Sequence, residues 1–193
     1  MREAQRLHQV SEYYFSAKLR EVAQMKAAGK AVLNIGIGSP DLAPDKTVIE
    51  ALSQTANSPS GHGYQSYQGT PELRMAMADF YKNRFEVSLD ADSEVLPMMG
   101  SKEAIMHISM AFLNPGDEVL IPAHTWCATA ISFAREGAKI VWMDINPETF
   151  VIDIESIKKA VTSKTKAIVI VHLYGLMCPM DEIVEEAKEA VEG

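Results

Sequence analysis

The chain has 193 residues, 47% hydrophobic and 23% charged, which is the profile of a soluble globular protein with one substantial core. A formal net charge of -8, spread along the sequence, argues against a nucleic-acid footprint or a polybasic membrane patch and points to small-molecule partners. The two cysteines, Cys127 and Cys178, lack CxxC or Cys/His spacing, so neither a disulfide framework nor a metal site is expected.

Near the start, the charged residues Arg2, Glu3 and Arg6 interrupt any signal-peptide core. No apolar run anywhere approaches the roughly 18 residues of a membrane span, so a cytoplasmic location is the expectation. Residues 11–28 carry a helical pattern that Gly29 stops, and the apolar run Ala31 to Ile35 predicts a short strand. GIGSPDLAP, 36–44, is too rich in glycine and proline for a regular element and reads as a loop. The first 44 residues are therefore an arm, a helix and a loop, and 45–193 form the main domain.

Asp45 is placed to cap a helix over 47–56. After an irregular stretch from Ser58, Thr70 and Pro71 open a second helix as N-cap and first helical residue, ending near Phe85. Strands are then predicted at 94–98, 118–121, 139–143 and 166–171, and helices at 101–113, 126–136, 154–161 and 180–191, with a short apolar turn near Phe150. This alternation predicts an α/β fold with three αβα layers, a mostly parallel sheet covered on both faces. The sequence stops just after a helix, where such a sheet would add a strand, and reads as cut.

Two segments carry chemistry. Met99-Gly100-Ser101-Lys102 leads into an amphipathic helix, and a glycine, a hydroxyl and free N–H groups at a helix start make an anion site. The same residues would also make an ordinary strand-to-helix turn with a serine cap. His124-Thr125-Trp126 follows a buried strand, where an aromatic ring can stack on a planar heterocycle, although a tryptophan there can equally fill the core. His172, at the end of the last strand, is either a ligand contact or a hydrogen-bonded structural residue. His62 and His107 have weaker claims, and Met98, Met99, Met106 and Met110 read as gap-filling core.

LNIGIGSPDL, GYQSYQGTPELR and VLPMMGSKEAIMHISMAFLNPGDEVLIP, in that order over residues 1–122, resemble the class I/II aminotransferases of fold type I, which depend on pyridoxal 5'-phosphate. The resemblance implies that Gly100, Ser101 and Lys102 bind the cofactor phosphate. It also implies that Tyr64, which with Gly69 forms Y-x-x-x-x-G, reaches the phosphate of a neighbouring subunit in a homodimer. Ile37 and Gly38 would line the pocket for the substrate carboxylate. From 123 to about 182 the chain is similar instead to the DegT/DnrJ/EryC1 sugar aminotransferases, through AHTWCATAISFAREGAKIVWMDINPETFVIDIESIKKAVTSKTKAIVIVHLYG, and there the resemblance makes Trp126 the ring that stacks on pyridoxal. Together these imply part of a fold type I large domain with a seam near 120–123, read as a chimera.

Both families hold the cofactor as a Schiff base on a lysine that follows an aspartate in a later segment, and this chain ends before either. Lys158, Lys159, Lys164, Lys166 and Lys188 read as solvated surface charges, so no catalytic residue is assigned and covalent cofactor attachment is not expected. The implied function is an aminotransferase large-domain portion, inactive alone, for an amino donor and a keto acceptor. The first half implies an amino acid as substrate and the second a nucleotide-linked keto-sugar. The alternatives are a non-catalytic scaffold retaining the fold, and a fragment of another fold type I enzyme such as a lyase or acyl transferase.

Overall fold

The computed structural model describes residues 11–36, 38 and 40–192, with side chains through 190. The chain forms two compact units, one up to Tyr64 and one from Gln65 onward. The first unit holds α1 (Tyr14–Ala27) and α2 (Lys46–Asn57). Asp45 caps α2 by accepting the Thr47 N–H at 2.9 Å. No strand forms over Ala31 to Ile35. An apolar run becomes a strand only when another strand takes up its backbone groups, and among the described residues none does; Leu33 and Ile35 are each 88% exposed.

The second unit opens with α3 (Pro71–Phe85), where the Thr70 hydroxyl accepts the Leu73 N–H at 3.3 Å as the sequence predicts. Arg74, on the first turns of this helix, is buried and clamps two loops to it. Its guanidinium donates to the Gly69 carbonyl at 2.8 Å and to the Ala91 carbonyl at 2.9 Å, and pairs with Asp92 at 2.8 Å. Gly69 has φ +78, and an added Cβ would sit 3.2 Å from Pro97, so both the turn and its close packing demand glycine.

The strand predicted at 94–98 is also absent. The chain curls there because the Glu94 carboxylate accepts the Asp90 N–H at 2.8 Å and the Glu94 N–H returns to the Asp90 carbonyl at 2.9 Å. Pro97, lacking an N–H, could not serve both sides of a ladder in any case.

The remaining elements are α4 (Ser101–Phe112), β1 (Glu118–Pro122), α5 (Cys127–Arg135), β2 (Lys139–Met143), α6 (Ile154–Ala160), β3 (Thr165–Ile168) and α7 (Met180–Glu192). The three strands are parallel in the order β2-β1-β3, with β1 buried along its whole length. Alternation sorts their side chains into two layers. Val119 and Ile121 pack with Phe133 of α5 and Ile105 of α4. Leu120 and Met143 pack on the opposite face with Ile157 of α6 and Ile183 of α7. The expected three-layer α/β architecture is therefore present, with both faces of the sheet covered.

At the amino ends of the strands, the buried Glu118 carboxylate receives Lys139 Nζ from β2 at 2.8 Å and the Thr162 hydroxyl at 2.7 Å. The Lys139 bond first, and the Thr162 bond second, hold its carboxyl below the ordinary glutamate value of 4.5. A depressed carboxyl stabilises the fold above the ordinary value and loses that contribution as pH falls through the folded one. Glu118→Gln is expected to flatten the acid side of the stability curve below pH 4.5 while leaving its shape near neutrality unchanged. Thermal unfolding across a pH series checks this; an unchanged acid limb would remove Glu118 from the account.

Candidate functional site at the carboxyl ends of the strands

Ligands in open parallel sheets lie outside the carboxyl ends of the strands, at the point where two neighbouring strands send their helices to opposite faces. In this sheet β1 meets that condition with both neighbours, since β2 runs into α6 and β3 runs on toward α7, both on the face opposite α5. β1 runs into α5 on the Val119 face, whereas β3 runs on toward α7 on the Leu120 face. The chain leaving β1 is 123–126, and the chain leaving β3 passes through a one-turn 3-10 helix, Leu173–Gly175.

Aromatic rings meet there. The His124 imidazole lies edge-on to Tyr174, with ring centroids 6.3 Å apart at 77°, and edge-on to Phe150, 6.1 Å apart at 80°. Tyr174 (φ 55) and Phe150 (φ 62) both sit in the left-handed region. Aromatic residues seldom adopt it, and such strain concentrates at functional sites. The sequence marks Phe150 only as part of a turn and gives Tyr174 no role. The available signal was Tyr174-Gly175 directly after a strand, but left-handed backbone at a tyrosine leaves no compositional trace.

Trp126 is the N-cap residue of α5 and is 58% exposed, so it is a presented ring and not core filling. Its segment is fastened at both ends. The Ala123 N–H donates to the Met143 carbonyl at 2.9 Å, and the Thr125 and Thr129 hydroxyls lie 2.9 Å apart.

Gly100 is the N-cap of α4, with φ +99 and open space where a Cβ would project. Ser101 is therefore the first helical residue, which corrects the serine-cap reading; its hydroxyl caps nothing. Among the described residues no partner takes up the N–H groups of Ser101, Lys102 and Glu103, so they are available to an anion. Glu103, the one acidic group of this turn, is turned back to accept the Met99 N–H and approaches His107 at 3.7 Å. Lys102 is exposed beside the cradle. Open backbone, unpaired donors and an adjacent ammonium fit a phosphate, and the exposed Trp126 ring fits a planar heterocycle. α4 packs against α5, so the structure brings both parts into one helix layer.

Gly38 and Tyr64 belong to the first unit, where both are exposed; Ile37 lies outside the described residues. His172 resolves toward the structural alternative, its Nδ1 accepting the Cys178 N–H at 3.1 Å. The lysines of the last third behave as surface charges. Lys158 bridges Glu186 at 3.1 Å and Glu155 at 3.3 Å, and those partners hold its ammonium above the ordinary lysine value, the opposite of what a nucleophilic amine requires. Lys159, Lys164, Lys166 and Lys188 are exposed. No described helix is long and apolar enough to cross a membrane.

Residues 49–190 match the model of the DegT/DnrJ/EryC1/StrS aminotransferase family. The chain is 38% identical over 167 residues to the LL-diaminopimelate aminotransferase of Dehalococcoides mccartyi, covering 86% of this chain and 43% of that one. It is 37% identical over 164 residues to the LL-diaminopimelate aminotransferase of Aquifex aeolicus, covering 84% and 42%. Among solved structures, apo-BacF of Bacillus subtilis superposes with a TM-score of 0.83 at 27% identity, over 100% of this chain and 50% of that one. A single mutant of Thermus thermophilus aspartate aminotransferase superposes with a TM-score of 0.82 at 25% identity, over 100% and 51%. The chain thus spans less than half the length of these curated relatives.

Proposed function

We infer that this chain, which belongs to the DegT/DnrJ/EryC1/StrS aminotransferase family of fold type I pyridoxal-phosphate enzymes, carries the cofactor cradle for amino-group transfer and holds the cofactor without a covalent bond to its own lysines. The observation that carries the reading is the start of α4, where Gly100, Ser101 and Lys102 leave an open, unpartnered set of donors. When bound, pyridoxal phosphate supplies the carbonyl and the electron sink through which an amino group changes carriers. The chain's part is binding and orientation. The α4 N–H groups, the Ser101 hydroxyl and Lys102 hold the phosphate, and Trp126 covers one face of the ring.

Tyr64, wholly exposed in its own chain, supports the expectation that it serves the phosphate site of a second copy. The relatives named for LL-diaminopimelate favour an amino acid over a keto-sugar as the partner in transfer. The family match passes unbroken through 120–123, and so must a match of 167 residues in a chain of 193, which supports one lineage over a join of two.

The test is a titration with pyridoxal phosphate followed by Trp126 emission in a Trp142→Phe background, since Trp126 and Trp142 are the chain's two tryptophans. Saturable quenching is expected, and Ser101→Ala should weaken it about tenfold, as fits one hydrogen bond to a charged group. Borohydride treatment should leave no stoichiometric label. A full adduct on one lysine would overturn the non-covalent reading, and absence of any binding would favour a scaffold that keeps only the fold.

A further inference from the structure

The loop that leaves β3 is latched in a way the cradle does not require. Cys178, buried, donates its N–H to His172 Nδ1 at 3.1 Å and its thiol to the Val171 carbonyl at 3.3 Å, which closes residues 172–178 into a loop. Inside that loop Tyr174 stands at φ 55 and is 91% exposed, so its own burial does not hold it in place. A backbone conformation that side-chain-bearing residues seldom adopt persists only where the surroundings over-determine it. Here the backbone bonds from Gly175 to His172 and from Leu176 to Leu173 turn the chain, the latch closes it behind Tyr174, and the His124 ring lies ahead of it. His124 lies two residues before Trp126, on a segment whose other ties are the Ala123 N–H on Met143, the Thr125–Thr129 hydroxyl pair and the Thr129 N–H on the Trp126 carbonyl among the described residues.

We propose that His172 is a positioning residue for the ring half of the site, acting through the closed 172–178 loop, which sets Tyr174 edge-on to His124 and thereby fixes the segment that presents Trp126. Phe150 holds the other edge of His124, so the imidazole is gripped from the turn after β2 and from the loop after β3 together. The Nδ1 acceptor is the atom that matters. An asparagine can offer an amide oxygen in its place, whereas a leucine offers nothing and leaves the Cys178 N–H without a partner.

This rests on Trp126 being the stacking ring, and the experiment is arranged to separate the two claims. In the Trp142→Phe background, wild type, His172→Leu, His172→Asn and Tyr174→Leu are titrated with pyridoxal phosphate and, separately, with inorganic phosphate. His172→Leu and Tyr174→Leu should weaken pyridoxal phosphate by about five- to tenfold, the factor an aromatic pair corresponds to, and leave inorganic phosphate unchanged. His172→Asn should restore most of the loss. Equal weakening of both ligands, or pyridoxal phosphate binding unchanged in His172→Leu, would overturn the proposal.

If wild type binds no pyridoxal phosphate, the cofactor reading fails while the positioning claim is still decided by acrylamide quenching of Trp126. His172→Leu should raise the quenching and His172→Asn should not. Identical quenching in all variants would then sink it.

Discussion

Leu120→Ala should lower the unfolding free energy of the unit from Gln65 onward by about 2–5 kcal/mol, the range for truncating a fully buried leucine that leaves a cavity. Leu120 is in the middle of the central strand, wholly buried, packed with Met143, Val151, Ile152, Ile157 and Ile183. Strand hydrogen bonds on both sides restrain it, since Val169 donates to the Leu120 carbonyl at 2.9 Å on the β3 side and β2 pairs along the other. A position so restrained cannot collapse to fill the space, which places the cost toward the upper part of the range. Urea unfolding should show a lower midpoint at an unchanged slope. The exposed Leu96→Ala is the control and should stay within about 0.5 kcal/mol. Similar losses for the two would mean that the core is not centred on β1.

Arg74→Met is expected to cost about 3 kcal/mol, and the carbonyls contribute more of it than the ion pair does. Asp92 is 84% exposed on its side chain, so its Coulombic share is screened by water. The Gly69 and Ala91 carbonyls, by contrast, lose a charged donor each. Arg74→Lys should recover little, because one ammonium on a flexible stem cannot reach three acceptors set around a planar fork. The consequence should also be local. Limited proteolysis is expected to cut first near Gly69 or near Ala91 in the variant, while the sheet keeps its protection. Cleavage appearing first in the sheet would contradict the clamp.

The parts legible in the sequence were those where one local signal decides the outcome. The Thr70-Pro71 start follows from capping chemistry, and the span of β2 from a short apolar run, Ile140 to Met143, bounded by Gly137 before it and Asp144 after it. The runs 31–35 and 94–98 misled because a strand exists only through a partner. Apolar composition cannot report whether one arrives, and at 94–98 the Asp90–Glu94 bonds offered the backbone a nearer alternative. At the site, Gly100 and Trp126 could be named because glycine and tryptophan are conspicuous after strands. His124, Phe150 and Tyr174 act only as a set brought together from three connections, and Arg74 shows itself as buried only once two loops fold over it.

The Glu118 tie also bears on how the sheet finds its alignment. Parallel strands joined by long crossovers pair late and can pair wrongly, since loop closure is paid before the contacts form. If β2 slipped by one residue, Lys139 would move away from Glu118 and its neighbours would change faces. A slip of the turn holding Thr162 would take away the other partner. Either error leaves a carboxylate sealed among strand ends without its donors, a costly arrangement. One acid thus ties the alignment of β2, and of the turn that leads into β3, to that of β1.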